Sequence, residues 1–371
     1  MLIKAIAPLV YLLVCLSQAS AAELLRLRSL AEGGDANAQL LLGIRYAEGD
    51  EVSKDDSEAV KWYRKAAEQN NPFAQLQLGA SYADGAGVQK DLSQALLWYR
   101  RAAEQNETTA QCNLAHMYLF GIGTAVYEKE SLNWYRKAAA LGDVDGEFHV
   151  AAFYSIGIGI PKDLEEGAKW YLKAAEKGHM RAQGQIGLCY MLGNGILKDE
   201  AEGMRWMIKA AEQGDAHSQF VMGVQCALGK GTPKDMSQAY TWYCKAAKQG
   251  HVAAQRSVGD CLEAGKGVPV DQLAAAGWYR KAAEQNDALA QQKLGMLYSL
   301  GKGLPRDLVE AHCWFNVAGA NGSDGARKLC TSIELQMSSE ELEAATKLAH
   351  IVFEQLQSPK SKKANLPTAE N

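Results

Sequence analysis

The sequence has no block of basic residues along its body and no long apolar run beyond its first residues. Its 39 Lys and Arg stand against 43 Asp and Glu, a formal net charge of -4. Proteins that bind a nucleic-acid backbone normally carry a basic patch or stripe. The composition therefore argues against nucleic acid as a partner.

Common catalytic motifs are also missing. The sequence contains no G-x-S-x-G, no G-x-x-x-x-G-K-[ST], no H-E-x-x-H and no closely spaced Cys/His set, so nothing indicates a nucleophile elbow, a phosphate loop or a zinc site. One S-x-x-K match, Ser299 to Lys302, has no S-D-N or K-T-G partner. We expect no catalytic residues, no cofactor and no metal.

Cysteine is present but not in the pattern of a disulfide scaffold. Apart from Cys15 there are seven cysteines without regular spacing, whereas small disulfide-rich domains use even sets. We expect the core to supply the stability. A bridge between Cys226 and Cys261 stays open as an alternative.

The apolar run lies at the amino terminus. One Lys precedes residues 5–16, and Ala19-Ser20-Ala21 follows in the A-x-A arrangement. This pattern predicts a signal peptide over residues 1–21, with the mature chain starting at Ala22, and the run is short for a membrane span. We expect a periplasmic or secreted protein with no stable membrane insertion.

All eight tryptophans fall on one series with a step of 36 residues: Trp62, Trp98, Trp134, Trp170, Trp206, Trp242, Trp278 and Trp314. A fixed period of this length is typical of a solenoid of two-helix repeats. A residue copied in every repeat is a poor candidate for catalysis, which needs a unique arrangement. The tryptophans are therefore interpreted as core.

Most repeats show the start and end signals of two helices, although in the third repeat Tyr127 stands where the other copies have the Asp cap of the second helix. In the second helix, Ala59, Trp62, Tyr63, Ala66 and Ala67 form an apolar stripe. An Asp such as Asp55 precedes it as N-cap, with Glu or Gln three residues later in six copies, as in a capping box. The helix ends at Gly or Asn in all eight copies.

The first helix has its own signals. Asp35, Asn71, Asp143, Asp215 and Asp287 occupy its N-cap position, and its stripe is Ala38, Leu42 and Tyr46 in the first copy. A glycine follows the helix in all eight copies, and a second glycine follows two residues later in all but the first, which has Glu51. These loops predict positive φ or close backbone approach.

The repeats define the organisation of the chain. We predict a half repeat over residues 22–34, eight repeats over 35–322, a partial repeat with a capping helix over 323–357, and a disordered tail over 358–371. The fold class is all-α, a right-handed α-solenoid of helix-turn-helix repeats with a 36-residue period.

The repeat resembles the Sel1-like repeat, a relative of the tetratricopeptide repeat. The second copy reads AQLQLGASYADGAGVQKDLSQALLWYRRAAEQN over residues 74–106, and the resemblance covers about residues 24–357. It implies adaptor work through protein–protein contacts, in exported bacterial members with envelope or host proteins. Some cysteine-rich members are described as β-lactamase-like.

Columns that vary between repeats are where specificity can reside. First helices normally line the concave face of such a solenoid. In the third and fourth repeats they carry His116, Met117, Phe120, His149 and Phe153, where other copies have residues such as Arg45, Ser81, Asp84 or Asp260. This apolar, aromatic set is our candidate protein-binding patch. The alternative is that some of these side chains pack between repeats.

The sequence therefore predicts an exported, non-enzymatic scaffold that binds a protein or peptide. Two alternatives remain. One is a β-lactamase-like or cell-wall hydrolase that uses Ser299. The other is a regulatory subunit of a membrane sensor or of an endoplasmic-reticulum-type ligation complex.

Overall fold

The computed structural model describes residues 21–230 and 233–357, and within these ranges every regular element is an α-helix. The all-α prediction is confirmed. The predicted tail and the predicted signal peptide, apart from Ala21, lie outside the described residues. The helices are α1 (Ala21–Glu32), α2 (Ala36–Glu48), α3 (Asp56–Glu68), α4 (Pro72–Asp84), α5 (Leu92–Glu104), α6 (Thr108–Phe120), α7 (Glu128–Ala140), α8 (Val144–Ile156), α9 (Leu164–Glu176), α10 (Met180–Leu192), α11 (Glu200–Gln213), α12 (Ala216–Leu228), α13 (Met236–Lys248), α14 (Val252–Ala264), α15 (Gln272–Ala283), α16 (Ala288–Leu300), α17 (Leu308–Ala320), α18 (Asp324–Glu334) and α19 (Ser339–Gln357).

The described residues form two compact units. The N-terminal unit runs to Ala182 and includes residues 194–197, and the C-terminal unit comprises residues 183–193 and those from Lys198 onward. In the N-terminal unit each helix from α1 to α8 packs on the next one in the chain. In the C-terminal unit the same holds from α11 to α17, and α19 packs on α17. Each unit is therefore a stack of two-helix repeats.

The predicted N-caps are confirmed. Asp55, for example, accepts hydrogen bonds from the backbone N–H groups of Ser57 and Glu58 at 3.0 and 2.9 Å. The reciprocal half of the predicted capping box is wrong, because in all six copies the backbone N–H of the cap donates to the main-chain carbonyl nine residues earlier, as Asp55 does to Tyr46. In the fourth and eighth repeats Glu166 and Glu310 accept from the indole N–H groups of Trp170 and Trp314. In these two repeats the carboxylate satisfies the indole N–H, whereas Glu58 and Glu202 at the same position accept from Lys61 and Arg205.

The helix ends also follow the sequence. The Gly or Asn that ends each second helix has positive φ, including the non-glycine residues Asn70, Asn106 and Asn286. The glycine after each first helix is left-handed as well. The second glycine of the loop is required for two reasons, its positive φ and its close packing on the preceding repeat. A Cβ on Gly87 would lie 2.0 Å from the carbonyl oxygen of Asp56.

Core packing explains the aromatic columns. Five of the eight tryptophans are buried, and seven of the eight indoles carry the cation of a Lys or Arg three residues later, as with Lys65 at 3.8 Å from the centre of the Trp62 ring. The tyrosine after the tryptophan lies against a glycine of the first helix. A Cβ on Gly43 would come within 2.6 Å of the Tyr63 ring. The tryptophans are core, as predicted.

Polar side chains connect successive repeats. Gln69 donates to Gln39 and Gln105 donates to Gln75, both at 2.8 Å. The acceptor glutamines in turn donate to a main-chain carbonyl eight residues earlier, as Gln39 does to Ala31. This glutamine ladder recurs in the C-terminal unit.

The fourth repeat replaces this ladder by charge. Glu147 stands at the glutamine position and is fully buried, and its Oε1 accepts from Lys177 at 2.7 Å and from Lys173 at 3.0 Å. One repeat earlier Leu141 stands where a donor glutamine would be, and Gln111 Oε1 is buried without a hydrogen-bond partner among the described residues. The third and fourth repeats therefore depart from the common scaffold.

The C-terminal helix closes the C-terminal unit. Ser338 and Glu341 form a full capping box at the start of α19, with both reciprocal hydrogen bonds present. Near its end the carbonyl of Leu356 accepts from Asn286 at 3.2 Å. Across residues 21–230 and 233–357, the helices fall short of the length and apolar character needed to traverse a bilayer.

The cysteines at 226 and 261 are both thiols. Cys226 donates to Gln238 Oε1 at 3.2 Å, and burial raises the pKa of the Cys261 thiol to about 11. The structure does not favour the bridge between them.

Candidate protein-binding surface

The five predicted patch residues divide into surface and core. Phe120 is 59% exposed at the end of α6, and the half-buried His116 lies against it with the ring centres 4.6 Å apart. Met117 and Phe153 are each only 1% exposed, and His149 is largely covered. Phe120 and His116 therefore remain available to a partner.

The prediction that Met117 and Phe153 reach solvent is wrong. Both belong to the hydrophobic core of the N-terminal unit. The equivalent residues Arg45 and Ser81 are also buried, 4% and 8% exposed, because neighbouring helices cover this position of the first helix. The polar character of those two residues suggested exposure, but it is accommodated by hydrogen bonds and an ion pair.

A small change in the scaffold brings His149 and Phe153 together with Tyr135. In the second repeat the Tyr99 ring lies against Gly79. The third repeat has Ala115 there, and the Tyr135 ring stacks on His149 at 4.4 Å and packs near Phe153 at 5.9 Å. His149 and Phe153 thus fill the seam between α7 and α8.

The last residue of each first helix is exposed to solvent in both units. In the N-terminal unit this column reads Glu48, Asp84, Phe120, Ile156, and all four are exposed. Its third and fourth members change from acidic to apolar, with Ile156 66% exposed. In the C-terminal unit the same column reads Leu192, Leu228, Ala264 and Leu300, again all exposed.

Exposed apolar side chains at one helix position are costly unless something covers them, because apolar surface in water is unfavourable. Scattered single residues need no explanation, whereas a repeated column does. Phe120 and Ile156, with His116 against the Phe120 ring, are therefore the candidate binding surface of the N-terminal unit.

At the start of α8 the structure assembles side chains that the sequence did not single out. The Phe148 ring stacks on His179 at 4.7 Å, and the Arg181 guanidinium lies 4.8 Å from its centre. His179 Nε2 lies 3.1 Å from Asp145 Oδ1, and this contact with the imidazole holds the pKa of Asp145 below its usual value. Asp145 and Arg181 are 36 residues apart and so occupy the same position in successive repeats. Comparing neighbouring repeats position by position could therefore have indicated that these side chains lie close together.

The stacking of Phe148 on His179 is a structural feature of the repeat, because the same contact occurs a second time. In the C-terminal unit the Phe220 ring stacks on His251, also at 4.7 Å. His179 and His251 both accept a backbone N–H through Nδ1 and so act as N-caps. What differs is the charged pair, since Asp145 and Arg181 correspond to His217 and Ala253 in the second copy.

His149 should make the N-terminal unit sensitive to acid. Burial lowers its pKa to about 3, although Asp145 opposes the shift and Arg181, His116 and His179 add to it. An unfolded histidine titrates near 6.5, so the unfolded chain binds more protons between pH 6.5 and 3, and stability falls as the pH decreases through that window. We expect a loss of about 1 to 2 kcal/mol between pH 6.5 and 5.

Urea unfolding of the wild type and of His149→Phe at pH 7 and pH 5 measures this effect. The phenylalanine keeps the ring contact with Tyr135 but does not titrate, so the variant should lose less stability on acidification. His350→Gln, at an exposed histidine in α19, is the control and should behave as the wild type. An unchanged pH dependence in His149→Phe would contradict the assignment.

Ser299 shows no sign of activation. Its hydroxyl donates to the main-chain carbonyl of Met296 at 3.0 Å, within the last turn of α16. A nucleophilic serine instead donates to a general base. The geometry is that of a helix-end serine.

Each unit is a stack of helix-turn-helix repeats, the class of α-solenoid proteins. The Sel1 repeat family model matches residues 36–71, 72–107, 108–143, 144–179, 181–215, 216–251, 252–287 and 288–323. The chain belongs to the Sel1 repeat family, whose members typically mediate protein–protein interaction.

Two solved structures are similar over most of their length. A Sel1 repeat protein from Oxalobacter formigenes is 33% identical, with a TM-score of 0.65, over 86% of this chain and 93% of that one. The c5321 protective antigen of uropathogenic Escherichia coli is 32% identical, with a TM-score of 0.55, over 93% and 82%. A curated relative, the secretory immunoglobulin A-binding protein EsiB of Escherichia coli O6:H1, is 43% identical over 56 residues, which is 15% of this chain and 11% of the relative.

Proposed function

We propose that this protein is an exported, non-enzymatic scaffold that binds a protein or peptide partner through the first-helix face of its N-terminal unit. The observation that carries this proposal is the exposure of Phe120 and Ile156 at a position that is acidic in the first two repeats. Large exposed aromatic and aliphatic side chains are typical anchors of an interface. His116 supports Phe120 from the preceding turn.

The flanking charges shape the partner we expect. Glu48 and Asp84 continue the column on one side of the apolar pair. A partner that places an apolar segment on Phe120 and Ile156 and a basic group toward Asp84 and Glu48 would match this surface. Such a segment can belong to a host or an envelope protein. The similarity of this chain to an immunoglobulin-binding protein and to a protective antigen supports a host protein as the binding partner.

Photo-crosslinking from Phe120 tests this proposal. A chain carrying p-benzoylphenylalanine at position 120 should give a discrete crosslinked partner when irradiated in its native cells or with secretory immunoglobulin A. The matched control carries the same group at Leu97, an exposed residue of the second helix α5. Equal crosslinking from both positions, or none from position 120, would contradict the proposed surface. A sensor or ligation subunit as the captured protein would establish the regulatory alternative.

The proposal that the protein is exported is based on its amino-terminal sequence. We expect the mature protein to begin at Ala22, because the A-x-A segment at residues 19–21 fits a signal peptidase site. Intact-mass measurement of the protein recovered from the periplasm or medium gives the cleavage point. Full-length protein that stays inside the cell would refute the export proposal.

A further inference from the structure

Three side chains with different metal-binding atoms meet where α18 packs on α17. The Nε2 of His312 lies 3.1 Å from Oε1 of Glu334, and Cys330 Sγ lies 3.7 Å from the same oxygen. All three ligand atoms lie within 4.8 Å of one another. Cys330 and Glu334 are four residues apart and so share one face of α18.

These residues occupy repeat positions that are apolar or aromatic in the other copies. His312 replaces an apolar or tyrosine residue of the second helix: Val60, Leu96, Leu132, Ala168, Met204, Tyr240 and Ala276. Cys330 follows the core column Leu42, Leu78, Leu114, Val150, Ile186, Met222, Val258 and Leu294. Glu334 follows the column that is tyrosine in six of the eight repeats. Three independent columns thus change to ligand-type residues at one place.

The cluster is more buried than an ion pair on the protein surface would be. The side chain of His312 is 3% exposed, and Cys330 is 7% exposed. His312 Nδ1 is buried without a hydrogen-bond partner among the described residues. The Glu334 side chain is 39% exposed, which leaves a path by which an ion and a water molecule can reach the cluster.

The spacing fits a tetrahedral ion. Zinc binds sulfur at about 2.3 Å and nitrogen or oxygen at about 2.0 to 2.2 Å, which places ligands about 3.3 to 3.7 Å apart in a tetrahedron. The separations of His312 Nε2 and Cys330 Sγ from Glu334 Oε1, 3.1 and 3.7 Å, are close to that range, and all three atoms lie within 4.8 Å of one another. A mixed thiolate, imidazole and carboxylate set suits zinc better than magnesium or calcium, which prefer oxygen alone.

We propose that His312, Cys330 and Glu334 bind one zinc ion, with water as the fourth ligand. On binding, the Cys330 thiol gives up its proton to solvent and the sulfur binds as thiolate. Because the thiol must lose its proton to bind, zinc binding should release a proton and strengthen as the pH rises. The ion would fasten the terminal partial repeat, α18, to the last complete repeat.

Zinc titration of the metal-free full chain tests the proposal. Isothermal titration should show one zinc per chain, and Co²⁺ as a probe should give a thiolate-to-metal charge-transfer band. Glu334→Gln, at a partly exposed position, and Cys330→Ser should each weaken zinc binding by more than about a hundredfold, because loss of a second-shell partner alone costs about 10- to 100-fold. Glu340→Gln, in the first turn of α19, and Cys244→Ser are the matched controls.

Thermal melts of the metal-free proteins separate binding from folding. Glu334→Gln should unfold at a temperature close to that of the metal-free wild type, and only the wild type and controls should gain stability when zinc is added. Absence of stoichiometric zinc binding would overturn the proposal. So would binding that survives in both Glu334→Gln and Cys330→Ser, since the ion would then sit elsewhere.

Discussion

Replacing Lys173 and Lys177 together by alanine should lower the free energy of unfolding by about 3 to 5 kcal/mol, the usual cost of leaving a buried charge without its partner. Glu147 is fully buried, and its Oε1 contacts both amines, at 3.0 and 2.7 Å. Without them the carboxylate loses the charges that compensate its removal from water. Urea unfolding followed by circular dichroism measures the change.

The control for this prediction restores the ladder of the other repeats. In the variant Glu147→Gln with Lys177→Gln, the two amides can form the pair seen between Gln105 and Gln75. This variant should be as stable as the wild type or more so, because an uncharged pair avoids the desolvation cost. If the double alanine variant unfolds like the wild type, Glu147 does not depend on these lysines.

Gly87→Ala should be the other strongly destabilising change. Gly87 has φ of +69°, and the added Cβ would lie 2.0 Å from the carbonyl oxygen of Asp56 in the preceding repeat. A residue with a Cβ in the left-handed region lowers the free energy of unfolding by about 1 to 2 kcal/mol. The steric overlap lowers it by about a further 1 to 3 kcal/mol. Because the obstacle is backbone, no side chain can rotate away to relieve it.

Gly142→Ala separates these two causes. Gly142 has φ of +91°, and its Cβ would meet no atom within 4 Å. The variant should therefore lose only the backbone part, about 1 to 2 kcal/mol. Equal urea midpoints for the two alanine variants would show that the loop does not pack on Asp56 as described.

Periodic features were predictable from the sequence because the same local physics acts in every repeat. Caps such as Asp55, left-handed residues such as Asn70 and the buried Trp62 each depend on short-range signals that eight copies reinforce. The sequence also located the unusual repeats correctly, since the third and fourth hold the buried Glu147 and the aromatic seam around Tyr135.

Side-chain exposure was predictable only in part. The polar residues Arg45 and Ser81 predict that the equivalent Met117 and Phe153 lie on the surface, yet a polar residue can be buried when it finds partners. The contact of His179 with Asp145 and the cluster around His312 join residues on different helices, so neither spacing alone nor a motif indicates them. Which side chains contact each other depends on the residues at neighbouring positions of other helices, and the sequence of a single repeat does not show these.

The most direct test of the central claim is the affinity of the partner crosslinked from position 120 for two matched double variants. Phe120→Asp with Ile156→Asp should weaken binding by about tenfold to a hundredfold, the effect of losing an interface anchor of about 2 kcal/mol. Leu97→Asp with Leu141→Asp, also at exposed apolar positions of the N-terminal unit, should leave binding unchanged. Circular dichroism should show equal helicity in both. Equal affinities for the two variants would contradict the assignment of function to the first-helix face.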